Sequence, residues 1–203
     1  MALAIPISDY DSALEAVCAA ILAGGIVIYP TDTLYGIGCD ATNATAVEKI
    51  RKLKKRDGEK PFSIIVSDFE MLKKYCEING KQSHALQALL PGPYTFILPL
   101  KKPLPASGGK TIGVRVPGHI FMRAVSKRLQ LPIVSTSANF SGEKEAAEAS
   151  EIAREIADGA DLLIDGGKCQ YSQGSTVIDL IENKVLRKGA IRQGDKFEWE
   201  DGK

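Results

Sequence analysis

Three segments of this 203-residue chain gather neutral hydrogen-bonding side chains just after short apolar runs. They are Pro30-Thr31-Asp32-Thr33, Ser135-Thr136-Ser137-Ala138-Asn139 and Ser175-Thr176. Hydroxyls and amides at strand ends can fix a small polar ligand without charge, and strand ends are where open α/β sheets form crevices. Any one segment alone is better explained by an ST-turn or a helix cap. Cations accompany them. Lys54, Lys55 and Arg56 close a helical pattern, Lys60 precedes a strand, Arg115 ends another, and Arg187 closes a hairpin pattern. Lys54 and Arg56 also suit the negative end of a helix dipole. Arg115 sits in the apolar run Thr111-Ile-Gly-Val-Arg115-Val-Pro, where an unpaired guanidinium would be costly. It requires a carboxylate, either from an Asp or Glu of the chain or from a ligand held by bidentate pairing. Several cations with several hydroxyls and an amide suit a polyanion bearing a polar group. ATP beside an amino acid would satisfy the set.

Other chemistries fit less well. Gly36-x-Gly38-x-x-Ala41 imitates a dinucleotide-binding turn, but six residues separate it from the preceding strand and no acidic residue closes a second strand at the required distance. Gly109-Lys110-Thr111 ends like a phosphate-binding loop, yet Leu104 stands where the earlier glycine is needed. The two histidines, His84 and His119, have no catalytic pattern around them, and Cys18, Cys39, Cys76 and Cys169 share no C-x-x-C spacing. A nucleophilic triad, a zinc site and redox use are therefore not expected, and no side chain is singled out as a metal ligand. A net charge of +1 argues against a protein built to coat nucleic acid. The Arg51–Arg56 stretch, with five basic residues in six, keeps an RNA-binding module as a competing class, although a solvated helix face also explains it. No apolar run is long enough to span a bilayer, and the opening MALAIPISDYDS has no basic leader, so no membrane association and a cytoplasmic location are expected.

The elements that would position these residues follow from periodicity. Leu14, Val17, Cys18, Ile21 and Leu22 mark a first helix, opened by a Ser12-x-x-Glu15 capping box and stopped by Gly24-Gly25. A buried strand over residues 26–29 leads into a loop from Thr31 to Ala41 and a second helix carrying Val47, Ile50 and Leu53. Strands are expected over 62–66, 94–100, 111–116, 133–134 and 162–164, with a hairpin from 175–180 and 184–187. Helices are expected near 68–76, 83–90, 119–129 and 150–157. The mixture lacks strict βαβ alternation, which predicts one α/β domain with a twisted, mixed, open sheet and flanking helices. Residues 1–195 form that domain, and 196–203 read as a polar tail whose Phe197 and Trp199 could dock back.

In family order, the chain carries Tyr29-Pro-Thr-Asp-Thr33-Leu-Tyr-Gly36, Lys54-x-Arg56, Leu90-Pro-Gly-Pro-Tyr-Thr95, Gly113-Val-Arg115-Val-Pro, Ser137-x-Asn139 and Ser175-Thr-Val-Ile-Asp179, then Leu186-Arg187. With this set, spread from about residue 10 to residue 190, it resembles the threonylcarbamoyl-AMP synthase (YrdC-domain) family. The resemblance implies a YrdC-like fold with a large positive cavity, and a nucleotidyltransferase reaction. In it, L-threonine, bicarbonate and ATP give threonylcarbamoyl-AMP and pyrophosphate, and a partner transferase complex then modifies a tRNA adenosine beside the anticodon. It implies that Thr33, Arg115, Ser135 and Ser175 hold threonine, and that Lys54, Arg56, Thr111, Ser137, Asn139 and Arg187 hold the nucleotide, with Mg²⁺ as the accompanying cation. Whether Ser135 or Thr136 faces the ligand depends on strand register. A YciO-like relative of undefined activity is the other enzyme reading, and the retained Ser137-Ala-Asn139 favours the synthase. Two departures stand out. Lys60 and Ile65 replace an Asn and a His of the longer members, and the C-terminal domain of those members has no counterpart after Arg187, so closure over the nucleotide is expected to differ.

Overall fold

The computed structural model describes residues 3–56, 60–195 and 200–201. Its strands are β1 (Leu3–Pro6), β2 (Val27–Tyr29), β3 (Gly36–Gly38), β4 (Ser63–Ile65), β5 (Tyr94–Pro99) and β6 (Thr111–Arg115). They continue with β7 (Ile133–Ser137), β8 (Leu162–Asp165), β9 (Thr176–Asp179), β10 (Lys184–Arg187) and β11 (Glu200–Asp201). The helices are α1 (Tyr10–Leu22), α2 (Ala44–Leu53), α3 (Phe69–Tyr75), α4 (Gly80–Leu89), α5 (Ile120–Leu129) and α6 (Arg154–Asp158). The strands form one mixed sheet in the order β1-β8-β2-β3-β7-β4-β6-β5-β9-β10-β11. This is the open α/β sheet with flanking helices that the pattern predicts.

Side-chain alternation along the short strands decides which helices cover which face. Val27, Tyr29, Ile65 and Ile133 pack with Val17 and Ile21 of α1 and Phe121 and Val125 of α5. Their neighbours Ile28, Ile64 and Val134 point the other way, against Val47 and Ile50 of α2, Leu72 of α3 and Leu86 of α4. Burying each such aliphatic side chain contributes about 1.5–3 kcal/mol, so the two apolar layers hold the sheet between helices.

Several elements differ from the periodicity reading. The first helix begins two residues before Ser12, with Asp9 at its cap and no side-chain capping bond. Its first residue is Tyr10, whose ring meets Phe121 edge-on at 5.6 Å. The stretch read as loop from Thr31 to Ala41 contains β3, paired antiparallel with both β2 and β7. β1 is an additional edge strand, parallel to β8. β7 runs on through the polar residues to Ser137, and α4 starts at Gly80 behind an Asn79/Gln82 capping box. The helix expected over 150–157 is split into a single 3₁₀ turn (Ala149–Glu151) and α6. The expected tail, with Phe197 and Trp199, lies outside the described residues apart from β11.

Candidate functional site: a cation-lined hollow on the central strands

The face covered by α1 and α5 is apolar at one end of the central strands and polar at the other. In one row across the sheet, Ile133 of β7 pairs Ile65 of β4, which pairs Arg115 of β6. In the next row on the same face, Ser135 pairs Ser63, Ser63 pairs Gly113, and Gly113 pairs Ile97 of β5. Small and hydroxyl side chains thus stand where large aliphatic ones would fill the space. The result is a hollow of about 660 Å³. Its wall includes Thr33, Lys54, Arg56, Lys60, Thr95, Arg115, Ser135, Thr136, Ser137, Asn139, Ser175 and Arg187. Gly113 keeps the floor open, because a methyl group there would lie 2.5 Å from the Ser63 Oγ.

Arg115 is about 8% exposed and finds its carboxylate inside the chain. Its Nη2 donates to Asp32 Oδ1 at 3.1 Å and to Thr33 Oγ1 at 2.9 Å, while its Nε has no partner. Burial depresses the Arg115 pKa, and the Asp32 charge opposes that shift. Asp32, about 3% exposed, is held further by the Gly118 N–H. The Thr33 hydroxyl has a fixed sense. Thr31 Oγ1 gives its single proton to the Leu34 carbonyl, so the 2.9 Å contact with Thr33 Oγ1 is donated by Thr33, whose lone pairs then face Arg115. Across the hollow, Arg187 grips the Ser175 carbonyl through Nε (3.1 Å) and Nη2 (2.9 Å), and its Nη2 also reaches the Ser175 hydroxyl. That hydroxyl lies 2.7 Å from Thr95 Oγ1.

The third corner is the end of α2. The Phe62 ring meets two guanidinium groups, Arg51 at 4.8 Å and Arg56 at 5.0 Å from its centroid. Arg51 donates to the Lys60 carbonyl and Arg56 to the Pro61 carbonyl, which leaves the buried Arg56 Nε unpaired. Burial and the neighbouring Arg51 charge depress the Arg56 pKa. Lys54 sits deeper, about 1% exposed, bonded to oxygens of Ser137 and Asn139. Ser137 Oγ donates to Asn139 Oδ1, and Asn139 Nδ2 donates to the Glu143 carbonyl.

Nine of the ten expected site residues therefore line one hollow, drawn from segments between Thr33 and Arg187. Thr111 does not. It is exposed, pairs with Pro99 at the outer end of β6, and stands four residues along the strand from Arg115. At about 3.3 Å per residue, that puts it roughly 13 Å from the guanidinium-bearing end. Ser135 stands beside Ser63 on the face that forms the floor and Thr136 beside Ile37 on the opposite face, and both contribute to the wall. Asp32, Ser63, Thr95, Glu143 and Glu145 complete the surroundings and are not among the expected residues. Ser63 could have been noticed as a lone hydroxyl in the apolar run Phe62-Ser-Ile-Ile-Val66. The role of Ser63 depends on pairing with Gly113 and Ser135, which spacing alone does not encode.

The Sua5–YciO–YrdC family model, described as telomere recombination, matches residues 19–189. The chain belongs to this family. It is 40% identical over 182 residues to a Methanocaldococcus jannaschii protein named "Putative threonylcarbamoyl-AMP synthase", covering 89% of this chain and 85% of that one. Among solved structures, a doubly substituted P. abyssi Sua5 superposes with a TM-score of 0.89 at 30% identity, covering 95% of this chain and 62% of that one. P. abyssi Sua5 complexed with L-threonine gives 0.85, also at 30%, covering 93% and 57%. E. coli YciO gives 0.82 at 27% identity, covering 93% and 96%. The chain thus spans about three fifths of each Sua5 chain and nearly the whole of YciO.

Proposed function

We propose that the hollow binds ATP and L-threonine together and that the protein is a threonylcarbamoyl-AMP synthase, a nucleotidyltransferase acting in tRNA modification. The observation that carries this is the convergence of Lys54, Arg56, Lys60, Arg115 and Arg187 on one hollow beside neutral hydroxyls, with Glu143, Glu145 and the Arg115-paired Asp32 as the carboxylates around it among the described residues. The name of the M. jannaschii relative and the threonine complex of P. abyssi Sua5 support the same reading. In it, residues 1–195 are the catalytic domain and 196–203 a polar tail, and the protein works in the cytoplasm, handing its product to a tRNA threonylcarbamoyl-transferase complex.

Arg115 is the anchor for the threonine carboxylate, with the Thr33, Ser135 and Ser175 hydroxyls around it. Arg56 and Arg187 face the nucleotide phosphates, with Ser137 and Asn139 between them. The threonine amine bonds to the bicarbonate carbon as a C–O bond of bicarbonate breaks, and the oxygen leaves as water with the amine proton, which gives a carbamate. A carbamate oxygen then bonds to the α-phosphorus as the bond to the pyrophosphate oxygen breaks and pyrophosphate leaves with the electron pair. The protein contributes alignment and fixed positive charge where charge develops, so a nucleophilic side chain has no task here. No group of three or more metal-ligating side chains occurs among the described residues, so Mg²⁺ would take its oxygens chiefly from phosphates, with Glu143 and Glu145 the carboxylates on the wall. It would supply charge neutralisation at those phosphates.

Purified protein should release pyrophosphate from ATP only when threonine and bicarbonate are both present. Release that ignores threonine would overturn the synthase reading in favour of a YciO-like activity, which the near-complete coverage of YciO keeps in view.

A further inference from the structure

Lys54 is the most deeply buried cation of the hollow, and its charge is not turned toward the open space. An ammonium has three protons. Three oxygens of a single turn take them: the Ser137 carbonyl at 2.5 Å, the Asn139 carbonyl at 2.5 Å, and Asn139 Oδ1 at 3.3 Å. These acceptors come from 83 to 85 residues away in the chain. Three oxygen dipoles aimed at one point repel one another unless a cation occupies it. Arg56 and Arg115 differ, since each keeps a buried Nε without a partner.

We propose that Lys54 is a positioning residue, whose ammonium gathers the carbonyl and amide oxygens of the Ser137–Asn139 turn and thereby fixes the Ser137 and Asn139 side chains in the wall of the hollow, rather than bonding the phosphates itself. The functional part of this rests on the ATP–threonine reading of the site. The turn's other bonds run from Ala138 N–H to the Tyr35 carbonyl, Asn139 N–H to the Ser137 carbonyl, Ser137 Oγ to Asn139 Oδ1 and Asn139 Nδ2 to the Glu143 carbonyl, and Ser137 pairs with Gly36 at the end of β7. Beyond that last pairing, only the bonds to Tyr35 and Glu143 tie the turn to other described residues outside it.

The charge state of Lys54 then matters to function. Burial, and after it the Arg56 charge, bring its pKa down to about 8 against the opposing pull of Glu145. Glu143 is the other carboxylate on that wall. A neutral amine has two protons for three acceptors, so the turn loosens as pH rises past about 8. Stability moves the other way. Because the folded-state pKa lies below the ordinary 10.5, the unfolded chain binds the proton more tightly, and this group favours folding increasingly from about pH 8 to 10.5. A lysine needed only for the fold would not separate the two.

Hydrogen exchange of residues 135–143, measured on ligand-free wild type, Lys54→Met and Arg56→Met, tests the clamp directly. Lys54→Met should speed exchange there at least tenfold and lower kcat/KM for ATP, while Arg56→Met leaves that exchange at the wild-type rate. A Lys54→Met turn as protected as wild type, with ATP affinity reduced, would show that Lys54 touches the nucleotide and would overturn the proposal. A loosened turn with unchanged kcat/KM would overturn it as well. If Lys54→Met does not fold, the wild type alone decides. Its kcat/KM for ATP should fall through the titration of the Lys54 side-chain NMR signal without a drop in Tm, and a profile flat through that titration sinks the idea. Wild-type protein inert toward ATP and threonine would defeat the reading of the hollow, whereas the exchange data would still judge the clamp.

Discussion

Arg115 and Asp32 are both withdrawn from water, so neither can be replaced without regard to the other. Removing one partner of a buried pair leaves an uncompensated charge and typically costs about 3–5 kcal/mol. Asp32→Asn should therefore lower the melting temperature markedly, as a thermal melt would register. Arg115→Ala conflates lost folding with lost chemistry, and Arg115→Lys is the cleaner probe. It keeps a cation beside Asp32 but loses the planar fork, so KM for threonine should rise ten- to a hundredfold, or about 1.4–2.8 kcal/mol, with the fold retained. A threonine titration near the wild-type value would remove Arg115 from the site. Arg56 is the simpler case. Its loss should weaken ATP binding by about 1.5–3 kcal/mol if its bonds to phosphate are charge-assisted, a change that calorimetry resolves.

The hollow's shape belongs to the strands. A methyl group at Gly113 would lie 2.5 Å from the Ser63 Oγ and 3.0 Å from Thr95 Cγ2. Gly113→Ala should cost about 1–3 kcal/mol through overpacking and weaken threonine binding further, to be read by melts with and without threonine. What the sequence discloses at this scale is uneven. Long periodic stretches such as Ile120–Leu129, and strands rich in branched residues such as Tyr94–Pro99, coincide with their expected places to within a residue or two. Gly36-Ile-Gly38 does not read as a strand, because its reason for existing is tertiary. A side chain at Gly38 would come within 2.0 Å of the Val134 carbonyl, so glycine there admits the neighbouring strand. The hydroxyls that line the hollow after Tyr29 and Val134 are legible as polar punctuation of apolar runs. Asp32 as the partner of Arg115 is not, since 83 residues separate the two.

At the scale of the molecule, all four cysteines are buried, and burial raises their thiol pKa values, to about 12 for Cys39 and Cys76. Thiolate is the reactive form, so native protein at pH 7–8 should resist alkylation by iodoacetamide until it unfolds. Rapid labelling in the native state would contradict this packing. The mixed sheet also joins residues that are remote along the chain, since the wall draws on β3, β7, β4, β6, β5, β9 and β10 in succession across the sheet. A partly folded chain, with β9 and β10 not yet docked on β5, would therefore lack Ser175 and Arg187 altogether. Substrate recognition of this kind reports on assembly: only a chain with these seven strands in place presents the whole wall. Heating a preparation with ATP and threonine present should accordingly shift the melting of its competent molecules and leave any misassembled fraction where it was.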